Sequence, residues 1–210
     1  MEVIPDRGND TEFYLLNLGS VDGVEGCSGY TAFFSVCAYE AATSVSVLAK
    51  SGGTLVEVVS VVLNEYESYT NRTLTSGDVE ENFSGYVIRT SSSASVYTGN
   101  RCYAYNSVSY STWSSIPSVS NLGLTHVTFD LDTAADQYVV KVVAVEDNTE
   151  VQSSAGDSVT LDSADVAEFV YTGSDISMVN CSKKCAVMQM VNGSSDTSGI
   201  SQHSILPTNG

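Results

Sequence analysis

The sequence predicts an all-β protein of two tandem β-sandwich (Ig-like) units related by an internal repeat, with minor helix. Runs of alternating or continuous β-branched residues recur along the whole chain, with turn signals between them. Serine and threonine make up about a quarter of the 210 residues, and these side chains together with valine suit the two faces of a sheet. No stretch combines a helical period with capping residues at its ends.

The expected strands are separated by turn-forming pairs such as Gly52-Gly53 and Gly99-Asn100. We expect strands near residues 12–18, 31–39, 44–49, 55–63, 68–74, 85–90, 94–98, 125–131, 137–145, 158–161, 166–171, 177–181 and 186–191. The run 55–63 is rich in β-branched residues and long enough to pair on both sides, so it is either an exposed edge or the middle of a sheet.

An internal repeat divides the chain. Four motifs of the first part recur in the same order in the second, and the pairs begin at Ala38 and Ala144, Val61 and Val159, Val87 and Met178, and Ser115 and Ile205. This order predicts one unit over residues 1–122 and a second over 123–210. Because the end of the chain resembles the end of the first unit, we expect a fragment of a longer, repeat-containing chain.

The repeat also predicts which side chains are buried. Alternation along the first long strand of each unit points Phe34 and Val140 toward a core. The same alternation places Ser35 and Lys141 on the wetter face.

Charge and hydropathy exclude several partners. The chain carries 25 acidic and 8 basic residues, a net charge of −17, which repels nucleic acid and anionic membrane surfaces. The longest apolar run, residues 55–63, is interrupted by Glu57 and Ser60 and is too short to span a bilayer. Residues 1–14 contain no signal peptide, so we expect either an intracellular protein or a secreted one whose leader is not part of this sequence.

The five cysteines predict one disulfide. Cys181 and Cys185 lie between two apolar segments, and we expect a bond across a hairpin turn with Lys183 and Lys184 at its tip. The alternative is two unpaired thiols. The other three, which can form at most one bond among themselves, leave at least one thiol free or bonded to another chain; they are Cys27, Cys37 and Cys102.

Candidate glycosylation sites support the same oxidising, extracellular compartment. Five asparagines stand in Asn-X-Ser/Thr sequons: Asn9, Asn71, Asn82, Asn180 and Asn192. Because the chain is rich in serine and threonine, chance alone accounts for several of them.

Short motifs in both units carry a family resemblance. The motifs are Thr11-Glu12-Phe13-Tyr14-Leu15, Thr43-Ser44-Val45, Val62-Leu63-Asn64-Glu65-Tyr66-Glu67, Ile116-Pro117, Gln137-Tyr138-Val139-Val140, Val159-Thr160-Leu161 and Val187-Met188-Gln189-Met190. At these motifs the sequence resembles the N-terminal domain of IgGFc-binding proteins, a module of large secreted mucin-like and adhesive glycoproteins. The resemblance implies an extracellular β-rich module and supplies no catalytic or ligand residues.

The sequence contains little material for catalysis. Only His126 and His203 could act as a histidine base, and no Gly-X-Ser-X-Gly motif is present. We expect His126 to face outward from the start of a strand. The prediction is that the protein is not an enzyme.

Two groups of residues are candidate binding sites. Asp130, Asp132 and Asp136 place carboxylates at near-alternate positions, which suits calcium, although a solvated acidic face explains them as well. No other cofactor is expected. Five aromatic residues cluster in a segment rich in serine and asparagine, where they form either a binding surface or part of a long packed loop: Tyr97, Tyr103, Tyr105, Tyr110 and Trp113.

These observations predict a non-enzymatic, secreted structural or adhesive module of a matrix or mucus-type glycoprotein. Its expected partners are other copies of itself or other extracellular proteins, with glycans possible, and neither nucleic acid nor membrane insertion is expected. The alternative is a carbohydrate-binding or calcium-dependent lectin-like domain.

Overall fold

The computed structural model describes residues 11–17, 32–72, 82–105, 108–128, 137–172, 177–192 and 201–208, and confirms an all-β fold. The strands are β1 (Glu12–Tyr14), β2 (Ala32–Ala38), β3 (Thr43–Ser51), β4 (Thr54–Leu63), β5 (Ser68–Arg72), β6 (Val87–Thr90), β7 (Ala94–Tyr105), β8 (Val108–Ile116), β9 (Gly123–Thr128), β10 (Gln137–Ala144), β11 (Thr149–Ser153), β12 (Ser158–Leu161), β13 (Val166–Thr172), β14 (Ser177–Asn192) and β15 (Ser201–Ile205). Within the described ranges, the helical content is one 3₁₀ turn, Val119–Asn121.

The N-terminal half, up to residue 122, forms two four-stranded antiparallel sheets. Their strand orders are β1-β6-β3-β4 and β5-β2-β7-β8. Alternate residues of β2, such as Phe34 and Val36, share one buried hydrophobic cluster with Val45 and Val47 of β3. The two sheets therefore pack as a sandwich, because each buries its apolar face against the other.

The C-terminal half repeats this arrangement, except that one continuous strand, β14, replaces two separate strands. Its strands form a single sheet of order β12-β11-β14-β10-β13, with β9 and β15 also paired to β14. The first part of β14 pairs with β9 and β11, and the last part pairs with β10 and β15. One long strand thus occupies the places that β6 and β7 occupy in the N-terminal half.

Pairing registers and turns show how closely the halves correspond. Val36 pairs with Val96 in the first half as Val142 pairs with Val187 in the second. The turn after β2 and the turn after β10 both contain a residue with positive φ and end in a threonine whose hydroxyl donates to the carbonyl three residues earlier. In the described ranges every strand pairs within its own half, and the unit boundary at residue 122 stays a prediction.

The two hydrophobic clusters of the protein do not coincide with its two halves. One buried cluster contains the interior of the N-terminal sandwich and also Val143, Ala186, Met188 and Met190 from the C-terminal half. The interior of the C-terminal half forms a second cluster. The outer face of the sheet around β10 is therefore covered by the N-terminal half.

This covering corrects the expectation for Lys141. Its side chain lies on the outer face of β10 as predicted, yet Lys141 is only 7% exposed. The residue is buried because the N-terminal half packs on that face, whereas Ser35 at the same position of β2 stays half-buried. The solvent-facing prediction for Lys141 is wrong.

The expected hairpin around the disulfide is also wrong. Cys181 and Cys185 are bonded, with an S–S distance of 2.06 Å, but both lie within the continuous strand β14. The segments on either side of the bond pair with different strands rather than with each other, and the register shifts between Asn180 and Cys185. The bond therefore spans the point where β14 passes from one set of partners to the other.

Candidate binding surfaces

The first candidate surface is the β4 edge, defined as the exposed side of β4. This strand ends its sheet and, within the described ranges, pairs only with β3. Three valines on it are largely exposed: Val56 at 47%, Val58 at 52% and Val62 at 67%. The edge interpretation of residues 55–63 is confirmed, and the alternative of a central strand is wrong.

The protection of the β4 edge is partial. Its pairing with β3 shifts from Val47–Val59 to Leu48–Glu57, which leaves Val58 in a bulge. Glu57 adds one charge and accepts a hydrogen bond from the Ser46 hydroxyl at 2.5 Å. Beyond the bulge the strand continues regularly to its end, whereas the corresponding strand β12 has only four residues. Of these two corresponding edge strands, only β4 is therefore long enough to offer an extended edge.

The second candidate surface is the aromatic face, the outer side of the sheet β5-β2-β7-β8. It comprises Phe33, Ser35 and Cys37 of β2, Tyr97 of β7 and Trp113 of β8. The alternating burial of β2 places its first three members outward, and Trp113 is 52% exposed. The chain's one tryptophan thus lies on this surface, on its outermost strand.

A glycine brings the aromatic side chains together. A Cβ atom at Gly99 would lie 2.9 Å from Phe33 Cζ and 2.8 Å from Trp113 Cα, closer than real side chains approach. The rings of Tyr97 and Trp113 lie 6.0 Å apart at an interplanar angle of 41°. Because Gly99 carries no side chain, these rings form one continuous apolar surface.

The rest of the predicted aromatic cluster is only partly described. Tyr103 pairs with Tyr110 through the backbone, and Tyr105 pairs with Val108, so the segment is a strand pair and the long-loop alternative is wrong. The side chains of the three tyrosines lie outside the described part of the structure.

The aromatic face differs from the rest of the protein in charge. Its five members are uncharged in a chain of net charge −17. Arg72, which pairs with Phe33 across the sheet, adds a positive charge at the margin. A negatively charged partner therefore meets less repulsion here than elsewhere on the surface.

The histidines do not form the outward-facing site that catalysis needs. His126 is fully buried, so its expected outward orientation is wrong, and its Nδ1 lies 3.2 Å from the carbonyl oxygen of Ile205. Burial lowers the pKa of His126 below its ordinary value of 6.5, because the charged ring is excluded from water. His203 is exposed on β15.

The predicted calcium ligands and one sequon lie outside the described residues. These are Asp130, Asp132, Asp136 and Asn9, and the calcium prediction stays a prediction. Within the described ranges, no group of three acidic, histidine or cysteine side chains could hold a metal.

The other sequon asparagines lie on strands or turns. Asn180 is exposed on β14, and Asn71 and Asn82 are partly exposed. Asn192 ends β14, and its side chain is outside the described part. Occupancy of the sequons stays a prediction.

Comparison with known proteins decides the family. A family model described as "IgGFc binding protein" matches residues 2–208, nearly the whole chain. The chain belongs to the IgGFc-binding protein family. This family consists of binding-type domains, typically extracellular, and is not a known enzyme class.

No curated protein and no solved structure matches this IgGFc-binding family member. The part of the chain that the structure describes contains no helix with the length and hydrophobicity needed to cross a membrane.

Proposed function

We propose that this chain is a non-enzymatic extracellular module of a secreted matrix or mucus-type glycoprotein, and that it acts through protein–protein association. The β4 edge carries the proposal. An exposed edge strand pairs with a strand of another protein through backbone hydrogen bonds, and exposed apolar side chains add contact area. The partners in this edge-strand pairing are other copies of this chain or other extracellular proteins.

Charge sets the conditions for this association. At a net charge of −17, two copies repel each other at low ionic strength. Added salt shortens the Debye length to about 10 Å at 0.1 M, so association of copies strengthens with salt. Random aggregation through apolar contacts is suppressed by the same charge.

The experiment is sedimentation velocity across a series of protein, salt and calcium concentrations. The double variant Val58→Lys/Val62→Lys adds the charges that natural edge strands use against pairing, and we expect it to weaken association at least about tenfold. A matched pair of single variants controls for charge, because each adds one positive charge at an exposed apolar residue: Val62→Lys on the edge, 67% exposed, and the control Leu206→Lys outside the strands, 48% exposed. We expect the control to behave as the unmodified chain.

Two outcomes contradict the proposal. An unmodified chain that stays monomeric in every condition, and binds no immobilised extracellular matrix or mucus protein, removes the associating function. If the Leu206→Lys control loses as much association as the edge variant, the effect is due to added charge, and the β4 edge is not the contact.

A second candidate function is carbohydrate binding, and the Tyr97–Trp113 pair supports it. Exposed aromatic rings among hydroxyl groups suit the apolar face of a sugar ring, and Ser35 and Thr70 are hydrogen bonded beside them at 3.0 Å. A glycan array with and without chelator tests it. Binding that Trp113→Ser abolishes favours the carbohydrate function, and dependence on the chelator favours its calcium-dependent form.

A further inference from the structure

The two halves use the same sheet face in different ways. Cys37 pairs with Ser95 in the first half as Val143 pairs with Ala186 in the second. In the same registers Ser35 pairs with Tyr97, and Lys141 pairs with Met188. The aromatic face is therefore the counterpart of the outer face around β10.

In the C-terminal half this face is buried. Val143, Met188 and Met190 are each at most 1% exposed and belong to the hydrophobic cluster of the N-terminal half. Polar contacts reinforce the junction, because Lys50 and Asp165 form an ion pair across it at 2.5 Å. A stable contact in which one half covers the outer sheet face of the other is thus already built into the chain.

The surface of the N-terminal half that covers the outer face around β10 also has a counterpart in the C-terminal half. Tyr14 and Val87 pair on the outer side of β1 and β6, and the Tyr14 hydroxyl donates to the carbonyl oxygen of Val145 in the C-terminal half at 3.0 Å. In the C-terminal half Val127 and Met178 pair in the same way. The difference lies in burial.

Val87 is fully buried, but its counterpart Met178 is 42% exposed. Two surfaces meet in the junction between the halves, and each half therefore exposes the counterpart of one of them. The N-terminal half exposes the aromatic face, and the C-terminal half exposes the Met178 surface, which we define as Val127 and Met178 on β9 and β14.

We infer that the aromatic face of one copy binds the Met178 surface of a second copy. This contact between two molecules has the same arrangement as the contact between the two halves of one molecule. This inference rests on the proposed associating function and names the surfaces and the partner. Because the two surfaces differ, the contact is heterologous and produces an open, head-to-tail series of copies rather than a closed dimer.

Charge favours a second copy at this position. The members of the aromatic face and of the Met178 surface are uncharged, as are Thr125 and Asn180, which are hydrogen bonded beside Met178 at 3.0 Å. Copies that repel each other over most of their surface can approach where both surfaces lack acidic groups.

The experiment uses the whole chain with the β4 edge blocked by Val58→Lys/Val62→Lys, so that only the inferred contact remains. Two further variants each remove one surface: Trp113→Ser and Met178→Asp. Both positions are largely exposed, and far-UV circular dichroism verifies that both variants fold. We expect the edge-blocked chain to form concentration-dependent oligomers in sedimentation velocity, and each further variant to weaken them at least about tenfold.

Mixing the two variants tests the head-to-tail arrangement. The Trp113→Ser chain retains its Met178 surface, and the Met178→Asp chain retains its aromatic face, so an equimolar mixture should form a 1:1 dimer that grows no further. A contact between two identical faces predicts no rescue by mixing, and that result overturns the inference.

Two side chains report docking directly. Trp113 is the one tryptophan, so its emission should shift to shorter wavelength as copies associate. Cys37 is a free thiol on the same face, and its alkylation should slow in the assembled state, with Cys37→Ser as the control for labelling at other sites. Oligomers that change neither signal overturn the aromatic face as the contact.

The results separate this inference from the proposed function. An edge-blocked chain that is monomeric, while the unblocked chain associates, overturns the inference and leaves the β4 edge function intact. Association that is unchanged by blocking the edge and lost in Trp113→Ser supports the inference and removes the β4 edge mechanism.

Discussion

Lys141 donates a hydrogen bond from its Nζ to the backbone carbonyl oxygen of Asn17 at 3.0 Å, and this bond joins the two halves of the protein. The ammonium group also lies 3.4 Å from a carboxylate oxygen of Glu168. The contact sits where the outer face around β10 is covered by the N-terminal half. Like the Lys50–Asp165 ion pair, this contact places charged side chains in the junction beside its apolar residues.

Replacing Lys141 with methionine should destabilise the protein. Met fills a similar volume but cannot donate, so the free energy of unfolding should fall by about 1.5–3 kcal/mol, the range for hydrogen bonds to charged groups. Urea denaturation measures the change. The control is Arg72→Met, which removes one positive charge at an exposed residue and should cost less than about 0.5 kcal/mol. An unchanged or higher stability of Lys141→Met means that the cost of burying the charge cancels the hydrogen bond.

The buried His126 should make stability depend on pH. Its pKa is lower in the folded state than the ordinary 6.5, so the unfolded chain binds a proton more readily. Stability from the neutral ring is fully present above pH 6.5 and is lost as pH falls from 6.5 through the lower folded pKa.

The matched variant for this test is His126→Phe, because Phe13 occupies the same position in β1 and is buried. Urea midpoints between pH 7.5 and 5 should show a steeper decline for the unmodified chain than for His126→Phe. His203→Gln, at an exposed position, should follow the unmodified chain. Parallel pH profiles for all three proteins contradict the assignment.

The Cys181–Cys185 bond should contribute modestly to stability. The closed loop is short, so its removal should cost at the low end of about 2–4 kcal/mol. The counterparts of the two cysteines in the N-terminal half are Thr90 and Ala94, so the double variant Cys181→Thr/Cys185→Ala should fold and show this loss in urea denaturation. Peptide mapping that finds both cysteines alkylated without reduction contradicts the bond itself.

Adding a methyl group at Gly99 should disturb the aromatic face. The new Cβ overlaps the backbone oxygen of Thr112 and also meets Trp113 Cα and the Phe33 ring, so β8 must shift as well as the ring. Such overpacking costs about 1–3 kcal/mol. Thermal unfolding of Gly99→Ala measures the cost, and the emission of Trp113 reports the displaced ring. Ser115→Ala, an exposed position on the same strand as Trp113, is the control. Equal stability of the two variants shows that β8 and Phe33 both move aside without cost.

The repeat could be predicted from the sequence because its turns are formed by interactions between residues close together in the chain. The turn at Ala38–Thr43 and the turn at Ala144–Thr149 match in their positive-φ residue and in the threonine hydrogen bond. These features need only neighbouring residues. Strands β8, β11 and β15 were not predicted, because their polar residues carry a weak alternating pattern and their pairing depends on distant partners.

Residue patterns are enough to predict the all-β class, the strand alternation, the bond between Cys181 and Cys185 and the family. Only the packing of the strands shows that Lys141 and His126 are buried, that β14 is one strand, and that β4 is an edge. Alternation places a side chain on one side of its strand, but whether that side meets water depends on what else packs there. The same reason explains why Met188 is buried while its counterpart Tyr97 lies on an open face.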